Sequence, residues 1–197
     1  MKRQFTLNDL DYSVKWILAG QMLLAVCCAF YIPWWFMVFK PGQAHNWTAG
    51  RAGILLALTA AAGIGGLLAN VHGNNMTQVS RALFSNGHAM VVGAICYIGL
   101  MALTSLAFKR PVTSELLLIT GWAVLELVTV NILYGANVFT IDTAKLYLAI
   151  VLAAFVVNMV LYVLYYKVDE WLAYKLAALP LAIDGVVMLA VSAKILI

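Results

Sequence analysis

The chain has 197 residues, of which 64% are hydrophobic and only 10% charged, and its mean hydropathy is +0.95. Soluble domains carry about 25% charged and roughly 45–50% apolar residues, so this composition excludes a water-soluble globular protein and leaves no room for a sizeable soluble domain. The formal net charge of +4 comes from scattered bases, which excludes a nucleic-acid surface as a partner site.

Residues 1–12 (MKRQFTLNDLDY) form a short, polar, amphipathic segment whose Lys2 and Arg3, with Lys15, suit an anionic membrane surface. The first apolar run covers about 13–39, longer than the roughly 20 residues a span needs. Trp16 at one end and Trp34-Trp35 at the other are placed as interfacial anchors, and Pro33 is expected to end the regular helix. The run is followed by no small-residue cleavage site, so it reads as a span and not as a signal peptide. Ala25 and Ala29 make a small-xxx-small pair, which serves either an internal packing seam or a docking surface for another subunit.

A polar loop leads to a second span, about 51–70, crowded with Gly and Ala from Gly53 to Ala69. So lean a helix is expected to be central and tightly packed. Its GIGG stretch lacks the Lys-Ser/Thr ending and preceding strand of a phosphate loop. Residues 71–81 form the next polar connection, and a third span covers about 81–108, with Asn86 and His88 in its first half and Lys109-Arg110-Pro111 as its stop. The fourth span (114–139), the fifth (143–166) and the sixth (171–197) complete an all-α, six-transmembrane-helix bundle, a single multi-pass domain of the cell membrane over residues 13–197. Asn46-Trp47-Thr48 and Asn75-Met76-Thr77 match the glycosylation pattern, too short a motif to argue from.

Orientation is not decided by charge. With the N-terminus inside, Lys2, Arg3, Lys15, Arg81, Lys145 and Lys194 face the cytoplasm, and the other six bases face outward. The N-terminal basic cluster favours that orientation.

Two acids stand at the middle of spans, Glu126 in the fourth and Asp184 in the sixth. A carboxylate at the bilayer centre costs roughly 2.5–3.5 kcal/mol on insertion scales, so something must offset it. On a helical wheel Trp122, Glu126, Thr129 and Asn137 fall within about 80° of one another, and Asn131 points elsewhere to a different neighbour. On the fifth span Asn158 shares a face with Tyr147, Tyr162 and Tyr165; Asp184 shares one with Ala173, Ala177, Pro180 and Met188. Every Lys and Arg lies near a span end, and His88 is the nearest base only if its helix sits deep. The acids are therefore met by a proton, by hydrogen bonds from Trp122, Asn131, Asn158 or Gln21, or by a cation or polar ligand in a watery cavity. A hydrogen-bonded packing device and a ligand cavity both remain open.

Three cysteines, Cys27, Cys28 and Cys96, fall in apolar runs with no CxxC or disulfide framework. Paired deep histidines for haem, an HExxH metal motif and an ATP-binding motif are all missing, so neither cofactor nor metal is expected.

With LLAVCCAFYIPWW around Ala25 and Ala29, and Ile32-Pro33 closing the helix, the chain resembles the substrate-binding (S) components of energy-coupling-factor vitamin transporters. The resemblance covers size, span number and about 20 residues of the first helix. It implies a vitamin-sized ligand, docking through Ala25 and Ala29 to a transmembrane coupling subunit, and ATPases acting through that partner. The leading expectation is a non-enzymatic membrane subunit that binds and helps move a small polar solute. Glu126, Asp184, Asn158 and Trp122 would shape its site, joined by Asn131 and His88. A membrane-embedded enzyme on a lipid or quinone, with an acid as general acid/base, and a non-catalytic accessory subunit are the alternatives.

Overall fold

The structure, a computed structural model, describes residues 11–43, 50–108 and 114–197. The expectations for residues 1–10, for the loop around His45 and Asn46, and for the Lys109-Arg110-Pro111 stop lie outside the described residues. Among the described residues seven helices follow one another: α1 (Tyr12–Val38), α2 (Gly50–Met76), α3 (Asn86–Phe108), α4 (Ser114–Gly135), α5 (Ile141–Tyr165), α6 (Glu170–Leu176) and α7 (Leu179–Leu196). No strand occurs among the described residues. Among these residues six spans, the last made of α6 and α7 together, are long and apolar enough to cross a membrane. The protein is an all-α, multi-pass membrane protein.

The chain divides into two compact units, one running to Gln78 and resuming at Asp169–Ile197, the other being Val79–Val168. In the first unit α1 is the central helix, packed on α2 and on α7. Its contact with α2 is set by missing side chains. A Cβ added at Gly73 would lie 2.7 Å from the Ile17 nitrogen, at Gly20 2.6 Å from the Asn70 nitrogen, and at Gly66 2.8 Å from the Leu24 nitrogen. Together with Gly63 against Cys27, these pairs hold one antiparallel register along the helices. On α2 the buried positions Ala52, Thr59, Gly66 and Gly73 recur every seven residues, with Ala62 and Ala69 between them. A seven-residue repeat keeps one seam facing the partner helix. In lipid no hydrophobic driving force joins helices, so small residues that admit backbone-to-backbone contact supply the attraction.

Four boundaries and one position differ from the sequence expectation. The expected centrality of α2 is corrected: only its glycine-rich seam is buried, and Ile54, Ile64 and Leu68 are exposed on its other side. Pro33 does not end α1, which continues to Val38. The last turns are held by Trp34 and Val38 packed on Ala52, by Trp35 Nε1 donating to the Tyr174 carbonyl at 3.0 Å, and by Tyr174 Oη donating to the Phe36 carbonyl at 2.5 Å. Beyond Asn70 α2 runs on for another six residues, because Gly73 seats on α1 and Asn74 Nδ2 donates to Asn70 Oδ1 at 2.9 Å. The sixth span breaks at Ala177–Ala178, since Pro180 at the start of α7 has no N–H with which to continue α6. The fourth boundary, at α3, belongs to the site.

In the second unit α4 is central, packed on α3 and on α5. Its stripe Leu116, Ile119, Ala123, Glu126, Val130, Leu133 is buried throughout and spaced alternately three and four residues apart. Five members are apolar. The sixth is an acid in the middle.

Candidate functional site

Glu126 is fully buried in the α4 seam, at a position where the spacing calls for an aliphatic side chain. One turn on, Thr129 is equally buried; one turn back stands half-buried Trp122. The Trp122 indole nitrogen is buried and donates to no acceptor among the described residues. On α5, Asn158 is fully buried and Tyr162 nearly so.

Register places these groups in depth. Asn131 of α4 bonds Asn86 of α3, a Cβ added at Gly93 would strike the Val124 side chain, and Tyr97 joins the cluster of Leu116, Ile119 and Tyr162. These three levels define an antiparallel α3–α4 pair and put Glu126 level with residues 91 and 92. Packing of Tyr162 on Leu116 and Ile119 likewise sets Asn158 level with residues 120–123, hence with Trp122. Glu126 stands about 4.5–9 Å further along the axis at 1.5 Å per residue. The second unit thus carries a carboxyl and an indole–carboxamide level within two turns, bordered by Tyr97 and Tyr162.

Asn131, expected to turn to a different neighbour, does so. Its Oδ1 accepts from the Leu83 nitrogen at 2.8 Å, and its Nδ2 donates to the Phe84 carbonyl at 2.9 Å and to Asn86 Oδ1 at 2.7 Å. These bonds explain why α3 begins at Asn86 and not near Arg81. The buried carboxamide takes the backbone groups of Leu83 and Phe84 that a further turn of helix would have used, and residues 79–85 become a strap across the end of α4. Ser80 donates to the Gly135 carbonyl through both its N–H, at 3.2 Å, and its hydroxyl, at 3.0 Å. Arg81 Nε donates to the Tyr134 carbonyl at 3.4 Å, and its guanidinium lies 4.3 Å from the centre of the Tyr134 ring. His88 is consequently in the first turn of α3 and exposed, at the end of that span and not at its middle.

Asp184 belongs to the first unit, where it is 7% exposed on α7 beside Gly185, whose Cα faces Cys28 of α1. Ala25 and Ala29 are not equivalent: Ala25 is buried in the unit and Ala29 is exposed. The first unit also buries Gln21, Asn70 and Ser192. Gln21 is visible in the sequence as a polar residue at depth, whereas Asn70 looks like a helix end until the Gly66–Gly73 spacing is read as a seam. Arg81 is legible only as a connection base; its role depends on Tyr134, 53 residues later in the chain. No protein-family model, curated protein or solved structure matches the chain.

Proposed function

We propose that this protein is a subunit of the cytoplasmic membrane that binds a small polar solute and helps move it across, without itself catalysing a reaction. The observation that carries the reading is the α4 core: a fully buried carboxyl in an otherwise aliphatic stripe, with a buried indole N–H one turn away that has no acceptor among the described residues. An unmet donor in a water-poor interior is costly, and a solute oxygen or nitrogen would meet it. Glu126 would take a donor or positive group of the same solute, and Asn158, level with Trp122, would read its polar edge. Asn131 is assigned to the strap, and His88 to the membrane boundary.

The same reading extends to Asp184 as a separate solute- or cation-binding group of the first unit. A role like that of the energy-coupling-factor S components would use exposed Ala29, and not buried Ala25, as the contact for a coupling subunit and its ATPases. The test is mass spectrometry of small molecules released from purified protein. One polar solute should be enriched with the native chain and lost from Trp122→Phe, which keeps an aromatic ring there and removes the donor. Equal recovery from both proteins defeats the reading.

A further inference from the structure

We infer that Arg81 and Asn86 form a binding site for a phosphate oxyanion at the membrane boundary of the second unit, distinct from the Glu126 region. Arg81 lies in the strap and Asn86 opens α3 directly after it, and both are fixed through α4. Arg81 is held at Tyr134 and Asn86 at Asn131, positions three apart on one helix and therefore about 5–6 Å from each other at Cβ.

The way each is held determines what remains available. Arg81 uses Nε and one face of its guanidinium on Tyr134; its two NH2 groups have no partner among the described residues, and the side chain is exposed. Those groups are the planar fork that binds carboxylate or phosphate oxygens in pairs. Asn86 is oriented by its neighbour. Its Oδ1 accepts from the buried Asn131 carboxamide, so its NH2 group turns away from that bond. Two kinds of donor are thus offered, Arg81 oriented by Tyr134 and Asn86 by Asn131 before any ligand arrives. The location supplies the ligand. Arg81 stands just outside the α3 span, which begins at Asn86, and at the end of the α4 span, which closes at Gly135, the depth at which lipid phosphates lie. A lipid headgroup and a soluble phosphate share this chemistry.

The test uses the full chain in neutral detergent, with phosphatidylglycerol and inorganic phosphate as separate probes and native mass spectrometry as the readout. Arg81→Gln removes the fork, and Arg81→Lys keeps the charge without it. Asn86→Asp keeps the oxygen that Asn131 needs and replaces the outward donor with a negative oxygen. Arg81→Gln and Asn86→Asp should each weaken binding roughly tenfold, the order expected for losing a charge-assisted bond, with Arg81→Lys between them and the native chain. Weakening toward phosphatidylglycerol alone assigns a lipid site; weakening toward inorganic phosphate assigns a soluble oxyanion. If Arg81→Gln does not fold, Asn86→Asp and Arg81→Lys decide. Native-like binding of both probes by the folded variants overturns the proposal.

Discussion

Gly66→Ala tests the α1–α2 seam against a neighbour that serves as its own control. The new methyl carbon would sit 2.8 Å from the Leu24 nitrogen, 2.9 Å from Leu24 Cγ and 3.1 Å from the Gly20 carbonyl oxygen. Ordinary carbon contacts begin near 3.5 Å, so the helices must part by roughly 0.5–1 Å there, and a gap of that size forfeits a quarter to a half of each dispersion contact. Two of the three obstacles are backbone atoms, which cannot swing aside. Overpacking of this kind costs about 1–3 kcal/mol. At Gly65 the same methyl meets only Leu23 Cδ1, at 3.8 Å. Gly65→Ala should therefore be neutral or stabilising by about 0.5–1 kcal/mol through helix propensity. Thermal unfolding of both variants in one detergent provides the comparison. Equal stability of Gly66→Ala and Gly65→Ala would refute the seam as drawn.

The strap and the α1–α6 clasp give further outcomes. Asn131→Leu leaves the Leu83 N–H and the Phe84 carbonyl without their partner and should cost about 1–3 kcal/mol. Faster hydrogen exchange in residues 79–86 would accompany it, and unchanged protection there would count against the strap. Gly135→Ala drives a methyl into Val79 and the Arg81 carbonyl and should release the same segment. Trp35→Phe removes the donor to Tyr174 and should lower stability by about 0.5–1.5 kcal/mol, measured by thermal unfolding.

Composition alone fixes the class, because spans are long, apolar and poor in charge, and their number was legible for the same reason. Helix ends were less so. Pro33, Asn70 and the start of α3 each carry a local signal that tertiary contact overrides: Trp35 with Tyr174, Gly73 with Ile17, and Asn131 with Leu83 and Phe84. Glu126 and Asp184 were legible as buried acids from their place in apolar runs, and both are buried. The pairing of Asn131 with a loop some 47 residues earlier was not, since wheel geometry gives a direction without naming what lies there. The split of Ala25 from Ala29 was equally hidden, because four residues of helix return to nearly, not fully, the same face.

Glu126 is kept either for a solute or for packing, and Glu126→Leu separates the two. Leucine suits the aliphatic α4 stripe and removes the cost of holding a carboxyl at depth in a membrane span. Glu126→Leu should therefore unfold at the native temperature or above it, while the solute that co-purifies with the native chain disappears from its mass spectrum. A variant that is markedly less stable, or one that still carries the solute, would contradict the assignment.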